Sequence, residues 1–331
     1  MKRFLSSCAR LPRVVMSFGM AASCSLPAGK RQSLAILVLP RCLAAMLAAG
    51  LTSFAGHAKA EPLFVSSFSG SISKIETNGT STTFSTGYNR PYGMAFDSSG
   101  NLFVAVLGDN RIAKVTPDGT SSTFASGLNS PVSIAINSSG NLFVSLFGDN
   151  SIAQITSSGV VSTFASGGLI NQPFGLAFNS LGNLFVSNDG NNTIAEITPA
   201  GVVSSFATGG GLSAPTGMVF NAAGDLFVAN QYAQTISKIT SGGTVSTFVT
   251  SSSFSNAAQL AIDPLNNIYL ASVDNNTIFK TTPEGVVSTY ASSELPIGLA
   301  FQIVPEPSTC AMAVAGLVCG GSVVFRRRRV R

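Results

Sequence analysis

The sequence predicts an all-β fold, a six-bladed β-propeller, and three observations carry that expectation. A strand-opening phrase, Pro91-Tyr-Gly-Met-Ala-Phe, returns at Pro131, Pro173, Pro215, Ala257 and Pro296, at intervals of 40, 42, 42, 42 and 39 residues. Each copy divides into four short segments of strand length, the signature of propeller blades. The two ends of the repeat region carry complementary fragments of one copy: residues 62–90 lack a first strand, and Ile297 to Ile303 supply one. Five full copies and this divided one make six blades, with the last strand completing the first blade and removing two sheet edges.

The elements follow in order within any copy, for instance the one from Phe174. Phe174 to Phe178 is apolar throughout and reads as an inner strand covered on both faces. The turn Asn179-Ser-Leu-Gly182 leads to a second apolar strand at Asn183-Leu-Phe-Val-Ser187. After Gly190-Asn191-Asn192 comes a third strand, Thr193 to Ile197, then the turn Thr198-Pro-Ala-Gly201 and a fourth strand, Val202 to Ala207. Gly, Asn and Asp recur at the joints because tight turns need residues that tolerate positive φ. In the first blade the same reading gives strands at Leu63 to Ser66, Ser71 to Glu76 and Thr80 to Ser85. Ser and Thr crowd the fourth strands, as in Thr120-Ser-Ser-Thr-Phe124, and suit an exposed outer edge.

Charge is distributed by segment. Residues 1–60 carry eight basic and no acidic side chains; residues 61–304 carry six basic and thirteen acidic ones; residues 305–331 carry five Arg and Glu306. The net +5 is therefore a property of the tails, and the acidic body excludes a phosphate-binding face and with it nucleic acid. The chain divides accordingly into an export signal peptide (1–60), a propeller (61–304) and a sorting segment (305–331). The first is basic, then apolar around Ser33 to Ala55, and ends on Ala58-Lys59-Ala60, a small-x-small cleavage pattern. The last opens on the motif Val304-Pro305-Glu306-Pro307-Ser308, whose first residue closes the propeller segment. It continues as an apolar run from Thr309 to Phe325, just long enough for a transmembrane helix. It ends on Arg326, Arg327, Arg328, Arg329 and Arg331, a cytoplasmic anchor by the positive-inside rule.

The order of a Pro-Glu-Pro motif, a short apolar helix and terminal arginines resembles the PEP-CTERM sorting signal. That resemblance implies an exosortase-type processing enzyme as partner. The protein would be held by its C-terminal helix in the membrane, with the C-terminus cytoplasmic, and after processing would lie at the cell surface or in the extracellular matrix. The repeat phrase Pro-x-Gly-Leu/Met-Ala-Phe-x3-Gly-Asn-Leu-Phe-Val, followed by Asn-x-Ile-x-x-Ile-Thr-x-x-Gly, resembles the NHL repeat and the blades of streptogramin lyases and gluconolactonase-like proteins. It spans residues 62–303. The lyase resemblance implies a histidine and glutamates near the axis with a divalent metal; the lactonase resemblance implies a metal held by Glu, Asn and Asp.

The residues themselves point away from that chemistry. The single histidine, His57, falls in the export segment, and Cys8, Cys24, Cys42, Cys310 and Cys319 all lie outside the body. The body therefore lacks the usual proton-transfer and zinc-binding side chains. Counting six residues back from the first Ile of each third strand gives Val106, Leu146, Asn188, Asn230 and Ser272, with no carboxylate among them. The expectation is thus a non-catalytic binding or structural module with no catalytic residue and no resident cofactor, its partners an exopolysaccharide or an envelope protein. A metal-dependent lactonase or lyase is the alternative. The acidic residues of the loops between second and third strands read first as turn chemistry. Read functionally, Asp109, Asp149, Asn188, Asp189, Asn230, Tyr232 and Asp274 form a rim at the propeller mouth suited to sugar contacts or weak Ca²⁺ binding.

Overall fold

The computed structural model describes residues 61–302, and in it the repeat folds as six four-stranded antiparallel sheets around one axis. The expected signal peptide, and the expected sorting segment with its transmembrane helix, lie outside the described residues. Among the described residues no helix is long and apolar enough to cross a membrane.

The first blade comprises β1 (Leu63–Ser67), β2 (Ser71–Ile75) and β3 (Ser81–Thr86). The second has β4 (Pro91–Phe96), β5 (Leu102–Val106), β6 (Arg111–Val115) and β7 (Ser121–Ser126), and the third β8 (Pro131–Ile136), β9 (Leu142–Leu146), β10 (Ser151–Ile155) and β11 (Val161–Ser166). Next come β12 (Pro173–Phe178), β13 (Leu184–Asn188), β14 (Thr193–Ile197) and β15 (Val203–Thr208), then β16 (Pro215–Phe220), β17 (Leu226–Asn230), β18 (Thr235–Ile239) and β19 (Val245–Thr250). The sixth blade is β20 (Ala257–Ile262), β21 (Ile268–Ser272), β22 (Thr277–Thr281) and β23 (Val287–Ser292). The last strand, β24 (Pro296–Phe301), pairs with β1 in the order β24-β1-β2-β3, closing the ring as the fragments at the two ends predict.

Burial follows the strand's place in the blade. All six second strands are buried along their whole length, whereas fourth strands such as β7 and β11 expose their first three residues. The apolar phrase Leu-Phe-Val and the Ser/Thr-rich phrase are therefore the inner and outer halves of one sheet.

Adjacent blades are joined by two repeating devices. In the first, the aromatic second residue of a second strand meets an aromatic of its own fourth strand and one ending the next blade's first strand. Phe185 packs edge-on against Phe206 at 4.7 Å and Phe220 at 5.0 Å, and Tyr269 repeats this with Tyr290 and Phe301. Such pairs contribute about 0.5–1.5 kcal/mol beyond their burial.

In the second device a buried serine clasps the seam. Ser187 Oγ accepts from Gly175 N–H (2.7 Å) and donates to the Thr216 carbonyl of the next blade (2.6 Å). Ser66 and Ser145 do the same towards Tyr92 and Phe174. Where Ala229 replaces the serine, Thr216 Oγ1 donates to the Ala257 carbonyl instead (2.9 Å). The inner strands approach so closely there that a Cβ on Gly175 would lie 2.2 Å from the Thr216 oxygen, and one on Gly298 2.1 Å from the Tyr92 oxygen. That contact is why glycine stands third in most first strands.

Candidate active site at the axial mouth

The chain turns into each first strand through a residue with positive φ: Arg90, Ser130, Gln172, Ala214, Asn256 and Leu295, at 41° to 55°. Four of these are held by an asparagine, itself left-handed, from the preceding blade. Asn110, Asn150, Asn192 and Asn276 accept through Oδ1 from the N–H of Ser130, Gln172, Ala214 and Leu295. The carbonyls of the same six turn residues accept from the N–H of Leu107, Phe147, Asp189, Gln231, Val273 and Phe68. Those six residues, each the first after a second strand, form an equivalent ring around one end of the axis.

The ring is mostly apolar, with two polar exceptions side by side. Phe68 lies 5.2 Å from Tyr92, the second residue of β4, and Phe68, Tyr92 and Val273 belong to one apolar cluster. Tyr92 also lies 6.0 Å from Phe174, two blades away, so these two rings meet across the axis. Asp189 and Gln231 occupy the ring in the fourth and fifth blades. Gln231 donates through Nε2 to Asn256 Oδ1 (2.7 Å). Asp189 has no side-chain hydrogen bond or ion pair with another described residue, and burial pushes its carboxyl above the ordinary aspartate value. Burial likewise raises the Tyr92 phenol, an effect opposed in part by the Arg90 guanidinium. A half-buried carboxylate held as a stronger base and a phenol that stays protonated are thus both found at this end of the axis, each a group suited to proton transfer.

The remaining rim residues are placed differently. Asn188 and Asn230 are fully buried beneath the mouth, a correction to their place on the rim. Their amides hold the turns, accepting from the N–H of Asn171 and Ser213 and donating to Thr193 and Thr235. Asp109 pairs with Arg111 (3.3 Å), Asp149 accepts from Asn129 Nδ2 (2.7 Å), and Asp274 accepts from Ser255 and Asn256. Tyr232 is 75% exposed. These acids do not repeat one position. Asp189 stands first in its turn, Asp274 second, and Asp109 and Asp149 third. Counting six residues back from the third-strand Ile lands on the buried residue under the mouth; counting five lands on the mouth itself, and there the carboxylate is found.

The divalent metal implied by the lyase and lactonase resemblance does not fit these residues. Among the described residues no three of His, Cys, Asp or Glu come together as a metal-ion donor set, and Asp189 is the lone carboxylate of the mouth ring.

The chain matches the Virginiamycin B lyase family over two overlapping stretches, residues 46–208 and 125–303. No curated protein matches it. Among solved structures it resembles virginiamycin B lyase from Staphylococcus aureus, at 17% identity and TM-score 0.59, over 74% of this chain and 93% of that one. A streptogramin B lyase structure matches at 15% identity and TM-score 0.54, over 74% of each chain. A catalytically inactive histidine-to-alanine variant of the S. aureus enzyme, with quinupristin, matches at 17% identity and TM-score 0.57, over 71% and 86% of the two chains. At these identities the structural likeness speaks for the fold alone. The family match overturns the expectation of a non-catalytic module, which rested on a missing histidine and on a ring read one residue too early. The stretches matched reach from before the first blade to the end of the last, and the chain belongs to the Virginiamycin B lyase family.

Proposed function

We propose that this protein is a lyase that opens ester rings at the axial mouth, with Asp189 as proton acceptor and Tyr92 as hydrogen-bond donor. The observation that carries the reading is the uncommitted, partly desolvated Asp189 carboxylate, the one ionisable group on a ring of four apolar residues and Gln231. A lyase cleaves by elimination. Asp189 takes a proton from a carbon next to a carbonyl, the C–O bond at the neighbouring carbon breaks, and the electron pair leaves on the oxygen as the C=C bond forms. The Tyr92 hydroxyl donates a hydrogen bond to that departing oxygen, and Arg90 adds positive charge beside it. Phe68, Leu107, Phe147 and Phe174 favour a substrate with apolar or aromatic groups around the ester.

Export, and sorting to the cell surface or matrix by the C-terminal segment, belong to the same proposal. They rest on Ala58-Lys59-Ala60 and on the run from Val304 to Arg331. The test is to incubate the full-length protein with quinupristin and with simple lactones and to weigh the products. Ring opening without change of mass supports elimination. A product that gains one water, or no turnover of any ring ester, overturns the reading.

A further inference from the structure

The ring has two unlike ends. Strand pairing sets Phe301, at the close of β24, beside Leu63, and sets Pro296 beside Ser67, whose neighbour Phe68 stands at the mouth. The described chain therefore enters at Glu61 and leaves at Gln302 on the end opposite the mouth. Beyond Gln302 stand only six residues, Ile303 to Ser308, before the apolar run from Thr309 to Phe325. Six residues fully extended reach about 20 Å, so whatever takes up that run lies close beneath this end.

The same end carries most of the exposed large apolar side chains of the described residues. Turns between first and second strands place Leu181 and Leu265 there, and turns between third and fourth strands place Val160, Val202 and Val286. Leu181 is 80% exposed and the other four 61–65%. The turns themselves do not require these residues. Thr80, Thr120 and Thr244 stand where the valines do in the other blades, and Ser99, Ser139 and Ala223 where the leucines do. Apolar side chains held out in water contribute little to the fold and gain only when something covers them. Charge does not supply that contact. Asp97 and Asp263 accept from N–H groups of their own turns, while Glu76 and Asp225 pair with Lys74 and Lys238.

We propose that the end opposite the mouth docks on the lipid bilayer that takes up the C-terminal run, with Leu181, Leu265, Val160, Val202 and Val286 entering its interface and the mouth facing away. The proposal rests on the reading of that run as a membrane anchor. The chain has no Trp, so a single introduced Trp reports its own position. The probe is a phosphatidylcholine vesicle brominated about 5–10 Å below the headgroups, the depth that interfacial apolar side chains reach. Full-length Leu181→Trp and Leu265→Trp, reconstituted in these vesicles, should emit further to the blue than in detergent-free buffer and lose emission relative to unbrominated vesicles. Tyr232→Trp, at the mouth, should do neither. Raised salt should leave the quenching in place, since no charge pair holds the contact. Flotation of the same samples separates the two claims. Protein that does not float with the vesicles overturns the anchor and this proposal together. Protein that floats with Leu181→Trp and Leu265→Trp no more quenched than Tyr232→Trp, or with quenching removed by salt, overturns the docking alone. Val202→Trp supplies the same readings should a leucine variant fail to fold.

Discussion

Asp189 owes its character to one step along the chain. Asn188, its neighbour, points into the blade and ties down a turn, while Asp189 stands where four other blades place Phe68, Leu107, Phe147 and Val273 and the fifth blade places Gln231. A carboxylate among such side chains loses hydration, and its proton affinity rises. The sign of the linked stability follows. A carboxyl whose folded value lies above its unfolded one costs nothing in acid, where both states are protonated; as pH rises past the unfolded and then the folded value, ionisation favours unfolding. Asp189→Asn should therefore unfold at a higher temperature than wild type at neutral pH, with the gain vanishing in acid; calorimetry at two pH values checks this. The acid limb of kcat/KM should fall above the range of an ordinary aspartate and disappear in the same variant, as a pH–rate profile would reveal. Tyr92→Phe keeps the ring packing and removes the hydroxyl, so it should lower kcat by about 10²-fold or more with little change in stability. The sequence exposes Asp189 as a loop acid, yet its neighbours on the ring come from five other blades, and no spacing along one copy states which of two adjacent residues faces the axis.

The strands and their joints were far more readable. Turn residues, the paired inner and outer halves of each blade and the completing role of β24 all follow from period and polarity, because each blade repeats one packing problem. The seam clasps were not readable, since serine inside an apolar strand looks like any small residue until the next blade is beside it. Ser187→Ala strips Gly175 N–H and the Thr216 carbonyl of their bridge and should cost about 1–3 kcal/mol, measured from the urea midpoint. The seam at Ala105, which has no such serine, shows that the ring tolerates an unclasped joint, so Ser187→Ala should still fold. Gly175→Ala is more severe: its Cβ would overlap the Thr216 oxygen, and backbone cannot swing away as a side chain can. It should lose about 3 kcal/mol or more.

The whole ring depends on β24, contributed by the last described residues and paired along β1, whose five residues are all buried. Leu299→Pro removes a ladder donor in this strand and should expose the β1 edge, giving a protein that aggregates or unfolds in more than one transition. Six similar blades make the places where the repeat is broken stand out, and at the mouth these are Asp189 and Gln231. The chain belongs to the Virginiamycin B lyase family, and the proposed reaction gives the proton-transfer role to Asp189. The rate of ring-ester opening by Asp189→Asn, set beside wild type under identical conditions with folding verified by circular dichroism, tests that claim most directly. A loss of about 10²-fold or more in kcat, with the product mass unchanged in the residual reaction, is the predicted result. An Asp189→Asn protein that opens the ring as fast as wild type would contradict it.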